Sequence, residues 1–287
     1  MNKFVWLASY PKSGNTWFRA FLSNLLMDPD RPININNFET GPIASSRARL
    51  DALIGYNSGD LTDDEIDRLR PDLYLHEAMQ EDAPAFIKVH DAYTFPSNGK
   101  PLFPLEATKA AIYFIRNPLD VCVSFTHHRG RTECQKTIEG MRNQNQVLAG
   151  RSNGQSAQLR QKLLSWSEHV LSWVDAPGQR IHVMRYEDMK LDPEKTFSAA
   201  VHFAELPSEP ERIRKAIRFS RFEELRAQEE ARGFRERPHA DKVFFRKGQI
   251  GSWRETLSTE QAQEITRDHG EVMKRFGYLG QNGDPIF

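Results

Sequence analysis

The stretch WLASYPKSGNTWFRAFLSNLL (residues 6–26) runs from an apolar segment through a compact Pro-Lys-Ser-Gly-Asn-Thr turn straight into a patterned helix. KFVWLAS (3–9) reads as a short buried strand. From Trp17 the apolar residues Trp17, Phe18, Phe21, Leu22, Leu25 and Leu26 recur at helical spacing and stop near Asp28-Pro29. A strand, a glycine turn and a helix start in direct succession make an anion site. The first N–H groups of a helix lack intrahelical acceptors, and the helix dipole adds positive charge there. Gly14 lets the backbone approach an oxyanion closely. Lys12 supplies a full charge, and Ser13 and Thr16 supply hydroxyl donors. Taken alone, the turn also fits an ordinary strand-to-helix connection with a Ser or Thr cap.

The same alternation continues along the chain. FIKV (86–89), AAIYFIR (110–116) and RIHVMRY (180–186) read as further strands, apolar on both faces. That pattern predicts the α/β class: a mainly parallel central sheet flanked by helices on both faces. PLDVCVSFTHH (118–128) is a helix with Pro in its first turn. DPEKTFSAAVHFAEL (192–206) is another, capped by Asp192, and TDDEIDRLR carries a Thr62–Glu65 capping box. There is no internal repeat and no long biased linker, so residues 1–287 are expected to form a single domain.

Two segments differ. Residues 28–84 mix loops with the capped helix. Residues 129–158 are polar, hold few large apolar groups, and carry Gly130, Gly140, Gly150 and Gly154. They are expected to bury little and to be mobile. Two readings stand for them, a solvated excursion and a lid over a second substrate.

Composition bounds the partners. Lys plus Arg and Asp plus Glu both number 39, so formal net charge is zero. Broad attraction to nucleic acid or an anionic membrane is not expected, although a local basic site for a small anion is. Cys122 and Cys134 are too few for a disulfide framework or a zinc site, and a reducing compartment fits them. The apolar start at Phe4 is too short for a signal peptide or a membrane span. A soluble, cytoplasmic protein is the expectation.

The opening turn is not the usual phosphate loop. That loop places Lys after a second Gly, whereas Lys12 precedes Gly14. A nucleoside triphosphatase also wants a strand ending in Asp to organise Mg²⁺, and AIYFIR ends in Arg116. The site is built for an anion without an obligatory metal. At this point YPKSGNTW resembles the 5′-phosphosulfate loop of sulfotransferases that use 3′-phosphoadenosine 5′-phosphosulfate (PAPS). Three more matches follow in that family's order. FIRNPLDVCVSFTHH (114–128) resembles its 3′-phosphate motif, YEDM (186–189) its adenine-side segment, and FRKGQIGSWRETLS (245–258) its C-terminal Arg-Lys-Gly motif.

The resemblance implies a P-loop-like fold and a set of roles. Lys12 would stabilise charge on the leaving phosphate. Ser13, Gly14, Asn15 and Thr16 would hold the 5′-phosphate, and Trp17 would lie on one adenine face. Arg116 and Ser124 match the 3′-phosphate positions, with Arg246, Lys247 and Gly248 completing that pocket. Tyr186 would reach the adenine edge. Ser220 and Phe222, in FSRFEEL, match the segment that stacks on the other face. His90 in FIKVHDAY resembles the family's Lys-x-His site and is the candidate base. Lys88, two residues earlier on a strand, shares its face. Asp91 departs from the family pattern, and it is a rival for the base role, as are His127 and His128.

The reading is transfer of the PAPS sulfonate to a hydroxyl of a small-molecule acceptor, releasing PAP, with no metal required. The rivals are a P-loop-type phosphotransferase and a catalytically silent PAP-binding module. Phe38, Tyr56, Tyr74, Tyr93 and Phe95 hint at an aromatic-lined acceptor site. WRETLSTEQAQEI sits where the family carries a dimerisation motif, which leaves a homodimer open.

Overall fold

The computed structural model describes residues 3–150, 156–237 and 243–287. In chain order it holds β1 (Phe4–Ser9), α1 (Asn15–Met27), α2 (Arg47–Ile54), α3 (Asp63–Gln80), β2 (Ala85–Val89), β3 (Thr108–Ile115), α4 (Pro118–His128), α5 (Gln135–Arg142), β4 (Val147–Leu148) and β5 (Gln161–Lys162). There follow α6 (Trp166–Val174), β6 (Ile181–Arg185), α7 (Tyr186–Leu191), α8 (Pro193–Phe203), α9 (Pro210–Phe219), α10 (Phe222–Arg232) and α11 (Thr259–Arg275).

The expected α/β class is observed. Four strands form a parallel sheet in the order β2-β1-β3-β6, flanked by helices. β1 pairs in parallel with β2, from Phe4 opposite Ala85 to Ala8 opposite Val89. All six residues of β1 are buried, as a run apolar on both faces requires. The helix boundaries follow local chemistry. Asp192 accepts from the Lys195 N–H, and Thr62 with Glu65 closes the anticipated capping box.

The chain gathers into two compact units. The first comprises the chain up to Tyr10, Thr40–Tyr113 and Asn143–Val183; the second comprises Pro11–Glu39, Phe114–Arg142 and Met184 onward. In the first, Trp6 packs against Tyr74 and Phe103, and its indole N–H donates to Thr108 Oγ1 at 2.8 Å. Trp173 extends that aromatic group, 5.0 Å from Phe103. In the second, Phe18, Phe21, Phe114 and Phe197 interlock, with Phe21 and Phe197 stacked 4.4 Å apart.

The polar segment 129–158 holds more structure than its composition suggests. α5 buries Thr137, Ile138 and Met141, and Gln135 and Arg142 both donate to Glu264 of α11. Two large apolar residues at i, i+3 suffice for a short helix with one seated face. Residues 151–155 of the expected lid lie outside the described residues. Among the described residues, no helix is long and apolar enough to cross a membrane.

Candidate active site

The turn after β1 belongs to the second unit. Lys12 (φ 73°) and Gly14 (φ 100°) both have left-handed backbones. A left-handed lysine is strained and persists only where the surrounding structure holds it. Gly14 is required twice over, by its φ and because a Cβ there would sit 2.9 Å from the Tyr186 ring. α1 begins at Asn15 with no side-chain cap on its N-terminus. Ser13 is buried, and its Oγ has no hydrogen-bond partner among the described residues. The Lys12 ammonium lies 4.0 Å over the Phe244 ring and 3.4 Å from His128 Nδ1. His128 thus faces Lys12.

Arg116 follows β3 directly and is 8% exposed. It donates to the Lys12 carbonyl at 3.3 Å and to the Gln249 carbonyl at 3.0 Å, and its guanidinium stacks 4.3 Å over the Tyr186 ring. Its Nε is buried without a hydrogen-bond partner among the described residues. Asn117 caps α4 through the Leu119 N–H, and Ser124 lies half-buried further along that helix.

Three carboxylates that sequence reasoning missed hold this arrangement. Asp120, fully buried, accepts from the Gly251 N–H, the Ser252 hydroxyl and the Trp253 N–H at 2.8–3.0 Å, and lies 3.7 Å from Arg116. Glu187 accepts from the Asn117 N–H and the Tyr278 hydroxyl; burial pushes its carboxyl above the usual range. Glu229 accepts from the Phe244 and Phe245 N–H groups, fixing the chain just before Arg246-Lys247-Gly248. Gly248 has φ 60°, and a Cβ there would lie 2.4 Å from the Phe222 ring. Lys247 pairs with Glu255 at 2.6 Å on the surface, while Arg246 is half-buried. Trp17 is half-buried, edge-on to Tyr186 at 6.0 Å, and the Lys190 ammonium lies within 6.0 Å of both the Trp17 and Phe222 rings. Ser220 is buried and donates to the Ile217 carbonyl.

His90 and Lys88 belong to the first unit. His90 follows β2 immediately, and its Nδ1 lies 2.9 Å from the Ser9 carbonyl oxygen. A carbonyl only accepts, so Nδ1 carries the proton, and Nε2 is the proton-accepting nitrogen of the neutral ring. Asp91 points elsewhere. Both its oxygens accept from Arg70, at 2.8 and 3.0 Å, and it is 1% exposed. It is engaged as a structural ion pair.

The second unit therefore collects Arg116, Tyr186 and the loop beside Gly248 around the Lys12–Thr16 turn, while the first holds His90 with its Nδ1 on the Ser9 carbonyl. A sulfotransferase-domain family model matches residues 2–277, through both units. The chain belongs to the sulfotransferase family. An amine sulfotransferase of Oryctolagus cuniculus is 25% identical over 283 residues, covering 95% of this chain and 81% of the relative. A 3-alpha-hydroxysteroid sulfotransferase of Cavia porcellus is 24% identical, covering 92% and 82%. The crystal structure of mouse sulfotransferase SULT7A1 complexed with PAP shares the fold, with TM-score 0.60 and 21% identity over 99% of this chain and 87% of that one.

Proposed function

We propose that this sulfotransferase moves the sulfonate group of PAPS to a hydroxyl of a small-molecule acceptor and releases PAP. The observation that carries the reading is the buried Arg116 guanidinium, whose Nε lacks a partner among the described residues. A buried unpaired donor costs free energy that a phosphate oxygen recovers, and guanidinium–phosphate bonds are among the stronger ones. Ser13 Oγ, buried and equally unpartnered among the described residues, supports an anion at the neighbouring turn. The residues present fit the nucleotide.

PAPS supplies a sulfonate on a phosphate leaving group. The chain supplies positioning and charge. Lys12 stabilises the charge that builds on the departing phosphate, and Ser13 to Thr16 hold that phosphate with the N-terminal amides of α1. Arg116, Ser124, Arg246, Lys247 and Gly248 take the 3′-phosphate. Trp17 and Phe222 take the adenine faces, with Tyr186 and Ser220 at its edge. His90 Nε2 removes the acceptor's hydroxyl proton, with Lys88 on the same strand face. The positive charge comes from side chains, so the reading asks for no metal. It treats residues 1–287 as one catalytic domain, with 129–158 on the acceptor side. It puts the enzyme in the cytoplasm without nucleic-acid or membrane partners, and leaves a homodimer open. The relatives' names, an amine and a hydroxysteroid enzyme, span unlike acceptors. A panel of phenols, alcohols, steroids and glycosides with PAPS identifies this chain's own.

The test is calorimetric titration with PAP, ADP and AMP in EDTA. Two charge-assisted bonds at roughly 1.5–3 kcal/mol each make PAP bind at least about 100-fold more tightly than ADP. Equal binding of ADP, or binding that needs Mg²⁺, would return the phosphotransferase reading. Tight PAP binding with no turnover of any acceptor would make the chain a silent module.

A further inference from the structure

Helix α6 offers three side chains from one face to the backbone of one loop. His169 Nε2 lies 3.1 Å from the His90 carbonyl oxygen, the Trp173 indole N–H donates to the Asp91 carbonyl at 2.9 Å, and the Tyr93 N–H donates to Ser172 Oγ at 3.0 Å. Positions 169, 172 and 173 are spaced i, i+3, i+4, which stacks them along one side of a helix. From the opposite end the Arg70 guanidinium grips the Asp91 carboxylate, and the Ala92 N–H donates to the Lys162 carbonyl at 2.8 Å. Residues 90–93 are thus bonded at every step.

The partners assign the protons on His169. The His90 carbonyl accepts only, so His169 Nε2 carries hydrogen. Nδ1, 2.8 Å from the Tyr113 hydroxyl, is then the acceptor in the neutral ring. His169 is fully buried, and burial pulls it down to about 4, which keeps the ring neutral near pH 7. Its ring stands edge-on to Tyr10, 5.4 Å away, next in sequence to Ser9. His169 therefore touches the ends of both strands that define the His90 imidazole: the carbonyl of His90 itself, and the residue after its Nδ1 partner.

We propose that His169 is a positioning residue of the sulfotransfer reaction, holding the His90 backbone so that the Nδ1–H stays on the Ser9 carbonyl and Nε2 stays the acceptor; the proposal rests on His90 being the base. Misplacing a catalytic group by about 1 Å costs up to roughly a hundredfold in rate. His169 touches no reacting atom and acts only through His90. Trp173 supports the next residue in the same way.

The experiment compares His169→Phe, His169→Gln, Trp173→Phe and His90→Ala, alone and combined with His90→Ala. Turnover is followed with PAPS and 2-naphthol, or the panel's fastest acceptor, and PAP affinity by calorimetry. The expected result is a fall in kcat of about tenfold or more for His169→Phe, with the KM for PAPS and the PAP affinity unchanged. His169→Gln, which keeps an N–H for the His90 carbonyl, regains most of the rate. Neither phenylalanine variant slows the His90→Ala enzyme further. Nitrogen-15 shifts of the His90 ring, read without acceptor, report one tautomer in wild type and a mixture in His169→Phe. An unchanged tautomer signal with wild-type kcat overturns the proposal, as does a loss that persists in full in the His90→Ala background. If His169→Phe does not fold, Trp173→Phe decides by the same criteria. If His90→Ala itself turns over like wild type, the base assignment fails. If His90→Ala is slow and the α6 variants are not, the positioning role alone fails.

Discussion

Arg70 in the first unit and Arg116 in the second are both buried arginines, and they differ in what their N–H groups meet. Arg70 is 1% exposed and spends its donors mainly on side chains: two bonds to Asp91, one to the Tyr74 hydroxyl, and Asp67 3.6 Å away, with one longer bond to the Arg160 carbonyl at 3.3 Å. Burial opposes its charge, but the pull of Asp91, Tyr74 and Asp67 overrides it and holds the guanidinium protonated. Arg116 meets two backbone carbonyls and one distant carboxylate, and its Nε has no hydrogen-bond partner among the described residues. The first arginine is saturated and serves the fold. The second is held in place by weaker acceptors, and on the proposed reading it keeps positive charge for an incoming anion. Burial alone does not distinguish a structural cation from a binding one; the identity of its acceptors does.

Exchanging the two roles gives the largest expected effect. Arg70→Met leaves Asp91 buried without its counter-ion, which typically costs about 3–5 kcal/mol. At roughly 2–4 °C per kcal/mol for a chain of this order, the melting temperature falls by about 6–20 °C. Arg116→Met leaves two carbonyls and the Asp120 carboxylate, which keeps its bonds from Gly251, Ser252 and Trp253, and its melting temperature without nucleotide stays within a few degrees. Its PAP affinity falls by about two powers of ten, and its preference for PAP over AMP is largely lost. Differential scanning calorimetry and titration measure both. If Arg116→Met melts as low as Arg70→Met, the contrast between the two regions is broken.

Each region also buries a neutral histidine, and these set a pH dependence. His169 in the first unit and His269 in the second are pulled down to about 4, chiefly by burial. The unfolded chain protonates its histidines near 6.5, so between 6.5 and 4 it binds more protons than the fold. The stability these rings carry is complete above about pH 6.5 and drains as pH falls toward 4, on the order of 3 kcal/mol for each. Urea midpoints at pH 7.5 and pH 5 measure the slope. His169→Phe and His269→Phe each flatten it; a slope unchanged in both assigns the acid sensitivity to other groups.

What the sequence disclosed was local. The Asp192 cap and the Thr62 box have their partners three residues on. The Lys12–Thr16 turn and the Arg116 strand end have recognisable spacings, although the partners of Arg116, the Lys12 and Gln249 carbonyls, are distant in sequence. What it hid was the apparatus that holds them. Asp120, Glu187 and Glu229 read as ordinary helix acids, because bonds from a carboxylate to a distant backbone N–H leave no periodicity. His169 and Trp173 fit the apolar stripe of α6 and give no sign of serving a loop about 80 residues away. Asp91 is a rival base by its place beside His90, and its pairing with Arg70, 21 residues upstream, leaves no local signal.

The smallest expected effect separates the adenine side from the phosphate side. Gly248 has φ 60°, and a Cβ at that position would meet the Phe222 ring at 2.4 Å. The contact is with an aromatic face seated on the Phe234–Phe245 cluster, so Phe222 has to swing away for alanine to fit. The left-handed backbone adds about 1–2 kcal/mol for an L-residue. On the proposed reading Phe222 stacks on the adenine, and a displaced ring loses roughly 1–3 kcal/mol of stacking. Gly248→Ala should therefore weaken PAP and AMP alike, by about tenfold, since both carry the same base. Arg116→Met should weaken PAP and spare AMP. Titrating both variants with both nucleotides yields two different signatures from one pocket. If Gly248→Ala weakens PAP but leaves AMP untouched, the loop acts on the 3′-phosphate alone, and Phe222 has no part in holding the base.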